Sequence, residues 1–194
     1  NGMEGAVTPT TPWQSPQGGT LVMTTQNLIY ASPSDTAITG YIFTDLGSYH
    51  GEYEHRHCLY GTENYELQII RGNQIDLELF AGLEITQANL IVWFDEIQHL
   101  TGTEKVGLFF LVHGCSYDLT TALEITQDGM TIFNGTKEEW IGAWIEKTGF
   151  FHGISEQFHA DFDTAKFVLD CESEGCLREF TFAGETWCTN PLAY

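Results

Sequence analysis

A chain of 194 residues, 42% apolar and 13% aromatic, holds enough material for one well-buried domain, which excludes a wholly disordered protein. Its 27 acidic residues against 7 basic ones give a net charge of −20, which repels phosphate backbones and so excludes nucleic acid and anionic membrane surfaces as partners. No apolar run reaches the roughly 20 residues that cross a bilayer, no signal peptide opens the chain, and five cysteines are too few and too odd for a dense disulfide scaffold.

Residues 1–19, "NGMEGAVTPTTPWQSPQGG", hold three of the five prolines among Gly, Ser and Thr, a composition for an extended arm that leaves 20–194 as a single domain. From Thr20 onward the dominant period of apolar residues is two. "TLVMTTQNLIYA", "AITGYIFTDL", "NYELQII", "IDLELF", "KVGLFFLVHG", "QFHADFD", "KFVLDC" and "LREFTFA" each read as a strand bounded by turn residues. "GLEITQANLIVWFDE" (82–96) and "ALEITQDGMTIFNGT" (122–136) share the pentapeptide Leu-Glu-Ile-Thr-Gln. With Asp128-Gly129 as a two-residue turn, the second copy folds into a hairpin with Leu123, Ile125, Met130 and Ile132 on one face. The same register in the first copy puts Leu83, Ile85, Leu90, Val92 and Phe94 together. A helix interrupts the strands over 137–148. Thr136 and Glu139 make its capping box, Lys147 sits in the last turn, Gly149 stops it, and Trp140, Ile141, Trp144 and Ile145 form its apolar stripe. The fold class expected is therefore mainly β: an antiparallel sandwich or barrel with one short amphipathic helix.

Chemistry-bearing patterns are sparse. "SYHGEYEHRHC" (48–58) is the densest ionisable stretch. On a strand it sets Tyr53, His55 and His57 on one side, and His55 and His57 with Glu63 are an alternative metal set. No metal or cofactor is otherwise expected, because no nucleotide-binding glycine motif, nucleophile elbow or second ligand pair is present. Cys171 and Cys176 in "CESEGC" come opposite each other if residues 166–182 form a hairpin, and could then cross-link. Aromatics on the non-core strand faces, Trp93, Tyr41, Tyr49, Tyr53, Tyr60 and Phe133, would be either a second buried layer or a platform for a carbohydrate or an oligomer contact. Binding through Tyr53, His55, His57 and Trp93 is the resulting expectation.

In general character, the Pro/Thr/Gly arm "TPTTPWQSPQGG" leading into an acidic, all-β body with unpaired cysteines resembles a viral capsid projection domain, the astrovirus spike being the nearest kind. That resemblance implies a non-enzymatic, surface-exposed and dimeric β-domain on a virion, which attaches to a host receptor or glycan. The alternatives are a small β-barrel enzyme or hydrophobic-ligand carrier, of lipocalin or cyclase type, and a cupin-type metalloenzyme using His55 and His57.

Overall fold

The computed structural model describes residues 26–35, 37–61, 63–155, 159 and 161–190. The expected Pro-rich arm lies outside them. In chain order the elements are β1 (Leu28–Pro33), β2 (Tyr41–Phe43), α1 (Leu46–Tyr60), β3 (Tyr65–Arg71), α2 (Gln74–Gly82), α3 (Leu90–Asp95), a 3₁₀ turn (Ile97–His99) and α4 (Gly102–Gly114). They continue with α5 (Leu119–Gly129), β4 (Ile132–Asn134), α6 (Lys137–Thr148), α7 (Thr164–Ser173), β5 (Arg178–Phe182) and β6 (Glu185–Thr189).

The chain is therefore helix-rich, with two small open antiparallel sheets, ordered β2-β1-β3 and β4-β6-β5. This overturns the expectation of a mainly β sandwich or barrel. The helix expected at 137–148 is present, with its Thr136–Glu139 box and Gly149 cap, but it is one of seven α-helices among the described residues. Five of the expected strand stretches contain helix. "SYHGEYEHRHC" is in α1, "IDLELF" in α2, "KVGLFFLVHG" in α4 and "KFVLDC" in α7, while the supposed first hairpin arm of 122–136 is α5. The supposed hairpin at 82–96 is a loop followed by α3.

The physical reason is written at the helix starts. Side-chain oxygens of Asp45, Asn73, Thr101, Asp118, Thr136 and Asp163 each accept the amide hydrogen three residues on, closing α1, α2, α4, α5, α6 and α7 at their N-termini. Thr101 with Glu104, and Asp45 with Ser48, complete reciprocal boxes. Behind those caps the buried positions follow a helical spacing: Asp76, Leu79 and Phe80 in α2, or Ala122, Leu123 and Thr126 in α5. An alternating apolar pattern in a segment buried on most sides, such as α4 with Val106, Leu108, Phe110 and Leu111 inside, does not distinguish strand from helix. Gly107 of α4 faces Met130, whose sulfur would lie 2.9 Å from an added Cβ, so a larger residue there would push α4 off the chain at the end of α5.

The first sheet packs one face only. Ile29 of β1 sits between Phe43 and Ile69, and this row joins Tyr41, Tyr65, Leu79, Phe80, Leu90, Trp93 and Phe94 in the main core. Its outer face leaves Ile42 and Ile70 about half exposed, as a half-buried antiparallel sheet allows. The second sheet is buried on both faces. Ile132, Phe182 and Trp187 point into the main core, while the alternate residues Phe133 and Cys188 point into a smaller core with Ile141 of α6, Val168 of α7 and Leu177. Helices α4 and α5 thus lie on one side of that sheet and α6 and α7 on the other.

Candidate interaction surface

Residues singled out from sequence are scattered by the helical geometry. On α1, residues two apart point about 200° from each other, so His55 and His57 do not share a face as they would on a strand. Tyr53 and His57, one turn apart, do meet: their rings lie parallel with centroids 6.1 Å apart. His55 is exposed on its own, and Glu63 lies beyond the helix end. Among the described residues no group of three His, Cys, Asp or Glu side chains converges as a metal ion requires. Trp93 is fully buried, edge-on to Phe80 at 4.9 Å, and presents nothing to a ligand. Of the other expected aromatics, Tyr41 and Tyr49 are buried, Phe133 is half-buried, and Tyr60 is exposed at the end of α1.

What Tyr53 does belong to is a clasp between α1 and the first sheet. Tyr41 of β2, Tyr49 and Tyr53 of α1 and Tyr65 of β3 pack ring to ring with centroids 5.3–6.2 Å apart. The Arg56 guanidinium lies 4.9 Å over the Tyr41 ring, donates to the Glu52 carboxylate in an ion pair and donates to the Thr39 carbonyl. Burial first, and neighbouring phenols second, raise the Tyr41 pKa well above its ordinary value; burial raises Tyr49 and Tyr65 likewise. Gln87 fastens the arrangement, receiving the Tyr65 amide on its side-chain oxygen at 2.7 Å and donating to the Tyr49 hydroxyl at 2.7 Å. Sequence reasoning missed Gln87 because nothing local marks it.

It also missed a buried ion pair. Lys105 of α4 meets Asp76 of α2 at 2.7 Å, with both side chains more than nine-tenths buried. The second Asp76 oxygen accepts from Asn27 at 2.8 Å and Asn73 at 2.7 Å, and the Lys105 ammonium also donates to the Gln98 carbonyl at 3.1 Å. This network floors an open cleft of about 1000 Å³ rimmed by Thr44, Asp45, His99 and Thr101. Its charged groups are spent on one another, which makes it a clasp joining β1, α2 and α4, and the Asn27 Oδ1 beside them is buried without a hydrogen-bond partner.

The remaining feature is charge. Among the described residues, every Asp and Glu except Asp76, Glu78, Glu104 and Glu172 is exposed. The cations are too few to balance them: Lys105 is buried, Arg56 lies on Tyr41, Lys137 is paired with Glu172 at 2.9 Å, and only Arg71, Lys147, Lys166 and Arg178 are exposed among the described residues. Lys137 sits in a patch of carboxylates. Its amide donates to Glu179 at 3.0 Å, and its own pKa is raised by the hydrogen bond to Glu172, then by the charges of Glu172, Glu179 and Glu138. Behind the patch the Cys188 thiol is pushed up to about 12, chiefly by burial and further by Glu179, Glu138 and Glu139. Carboxylates from the first turn of α6, from α7 and from β5 therefore converge on one side of the second sheet around a single lysine.

Compared with known protein families, with curated proteins and with solved structures, the chain matches none.

Proposed function

We propose that this protein is a non-enzymatic module that works by contact, and that its partner is a positively charged face of another protein. The observation that carries the reading is the exposed acidic shell, one patch of which gathers Glu138, Glu139, Glu179 and the half-buried Glu172 around Lys137. A surface of that sign steers cationic partners toward it and turns anionic ones away. Broad, strongly cationic protein faces are above all those that hold the phosphates of nucleic acids. The module accordingly competes with nucleic acid for such a face while binding no nucleic acid itself. The capsid-spike version of a contact module rested on an all-β body, and a barrel carrier needs a closed sheet; neither is taken further, since both sheets are open. Self-association as a homodimer stays part of the proposal, with the half-exposed Ile42 and Ile70 of the first sheet as its apolar contact.

The test is displacement of duplex DNA or RNA from a panel of nucleic-acid-binding proteins, followed by fluorescence anisotropy across a salt series. Displacement that weakens steeply with salt, and weakens again in a Glu138→Lys, Glu179→Lys variant, supports the reading. Displacement no better than that of an unrelated protein of equal negative charge removes it. Light scattering on the same samples decides self-association, a monomer at all concentrations ending that part.

A further inference from the structure

We propose that Cys171 and Cys176 are a disulfide-forming site built into the C-terminal cap of α7, taking a small-molecule disulfide as its oxidant. The inference is independent of the contact surface proposed above. The geometry comes from the way α7 ends. Gly175 adopts φ 75°, a left-handed conformation that glycine enters without Cβ strain. The Cys176 amide then donates to the Cys171 carbonyl at 3.0 Å, and the Gly175 amide to the Glu172 carbonyl at 3.0 Å. Those two bonds are the six-to-one and five-to-two pair of a Schellman cap, and that motif presses together the side chains three residues before the end and two past it. The contact is ordinarily apolar. Here both positions are cysteines, so a device for stopping a helix also apposes two thiols.

Further contacts agree. The Cys176 thiol donates to the Cys171 carbonyl at 3.3 Å. Both residues are half-buried at the edge of the smaller core, where Cys171 packs against that core and a small reagent still reaches the pair. Both are free thiols as the structure stands.

The reaction balances without a metal or cofactor. The Cys176 thiolate attacks one sulfur of a small disulfide, forming a mixed disulfide and releasing one small thiol. The Cys171 thiolate then attacks the Cys176 sulfur, closing the protein disulfide and releasing the second small thiol. Two electrons and two protons pass from the cysteine pair to the reagent. The order of attack follows from the surroundings of Cys171, whose thiol is raised to about 11 by burial, then by the neighbouring Cys176 and the charges of Glu174 and Asp170. Those acids, with Glu172, stand at the carbonyl end of a helix that has no basic residue in its last turn. The local potential is negative, so a cationic disulfide such as cystamine reacts faster than anionic glutathione disulfide, and added salt narrows the difference.

The experiment treats the folded full chain, in a Cys58→Ser background that removes the exposed competing thiol, with cystamine or glutathione disulfide. Peptide mapping by mass spectrometry is expected to find the 171–176 peptide two hydrogens lighter, with Cys115 and Cys188 still alkylatable after unfolding. Cystamine should lead by about tenfold at low salt. A Cys171→Ser variant should stop at the mixed disulfide on Cys176. The same oxidation in concentrated urea should be at least about tenfold slower, because the cap no longer holds the sulfurs together. A mixed disulfide that persists at Cys176 in the parent chain, or closure as fast in urea as in the folded protein, overturns the proposal.

Discussion

Asp76→Ala is the substitution with the largest expected effect outside the apolar core. Asp76 and Lys105 are separated by 2.7 Å with side chains only 5% and 8% exposed, so neither charge has bulk water to fall back on. At that distance, and with an effective interior dielectric constant of about 20, their attraction is roughly 6 kcal/mol, most of it offsetting desolvation. Removing the carboxylate therefore does not return the system to zero. It strands the Lys105 ammonium with the Gln98 carbonyl as its remaining partner, and it leaves the side-chain amides of Asn27 and Asn73 without their acceptor. Breaking one side of such a pair costs about 3–5 kcal/mol. For a domain of this size that is a fall of roughly 10–15 °C in melting temperature. Urea unfolding followed by circular dichroism measures it, with the m-value unchanged. The cycle is completed by Lys105→Met and by Asp76→Ala with Lys105→Met. The double variant should cost at least about 2 kcal/mol less than the sum of the two single changes, because it leaves no unpaired charge. An Asp76→Ala variant within about 1 kcal/mol of the parent, or a coupling near zero, would refute the reasoning and show the cleft floor to be open to water.

Four further outcomes are expected. Ile141→Ala, at a fully buried position in the smaller core, should cost about 3 kcal/mol, and the larger change Trp144→Ala should cost no more, because Trp144 is only half-buried against Phe150 and Phe167; calorimetry ranks the two. Acid should weaken α1 and α5 through their caps. Asp45 and Asp118 lie below the ordinary 3.8, each held there first by the capped amide of Ser48 or Thr121. A depressed folded-state pKa contributes stability above the unfolded value, which is lost as pH falls from about 3.8 through the folded one, and Asp45→Asn should flatten that part of a pH–stability curve. Maleimide should label Cys58 in the folded protein and Cys188 only on unfolding, since one is exposed and the other buried with its thiol pushed up to about 12. Far-ultraviolet circular dichroism should show the double minimum of helix, and a spectrum dominated by strand would contradict the fold.

Local signals with a mechanism of their own were legible without the structure. The helix at 137–148 could be placed to the residue because its capping box, dipole-matched charges, apolar stripe and terminal glycine all act within one segment. The strands β2 and β5 also fall within expected stretches, and β1 and β3 overlap them. Caps of the same kind at Asp45, Asn73, Thr101, Asp118 and Asp163 were equally present, but alternating apolar residues beside them suggested strands. Cys171 and Cys176 are adjacent as expected, through a helix cap instead of a hairpin. Of the binding residues expected, Tyr53 and His57 meet, while His55 and Trp93 lie elsewhere.

The repeated pentapeptide shows where local information ends. Leu83 to Gln87 is a loop in which Glu84 takes φ 50° and Gln87 reaches Tyr49 and Tyr65. Leu123 to Gln127 is α5, in which Thr126 bonds the Ala122 carbonyl one turn back and Gln127 faces solvent. Composition, charge sign and individual helix starts are properties of a residue and its immediate neighbours, so the sequence by itself determined the acidic shell and the caps. The conformation of Leu-Glu-Ile-Thr-Gln, the pairing of Asp76 with Lys105 and the two-sided burial of the second sheet depend on partners tens of residues away. Only tertiary packing decided them, because a short segment's own preference amounts to about 1 kcal/mol and burial against a distant neighbour outweighs it.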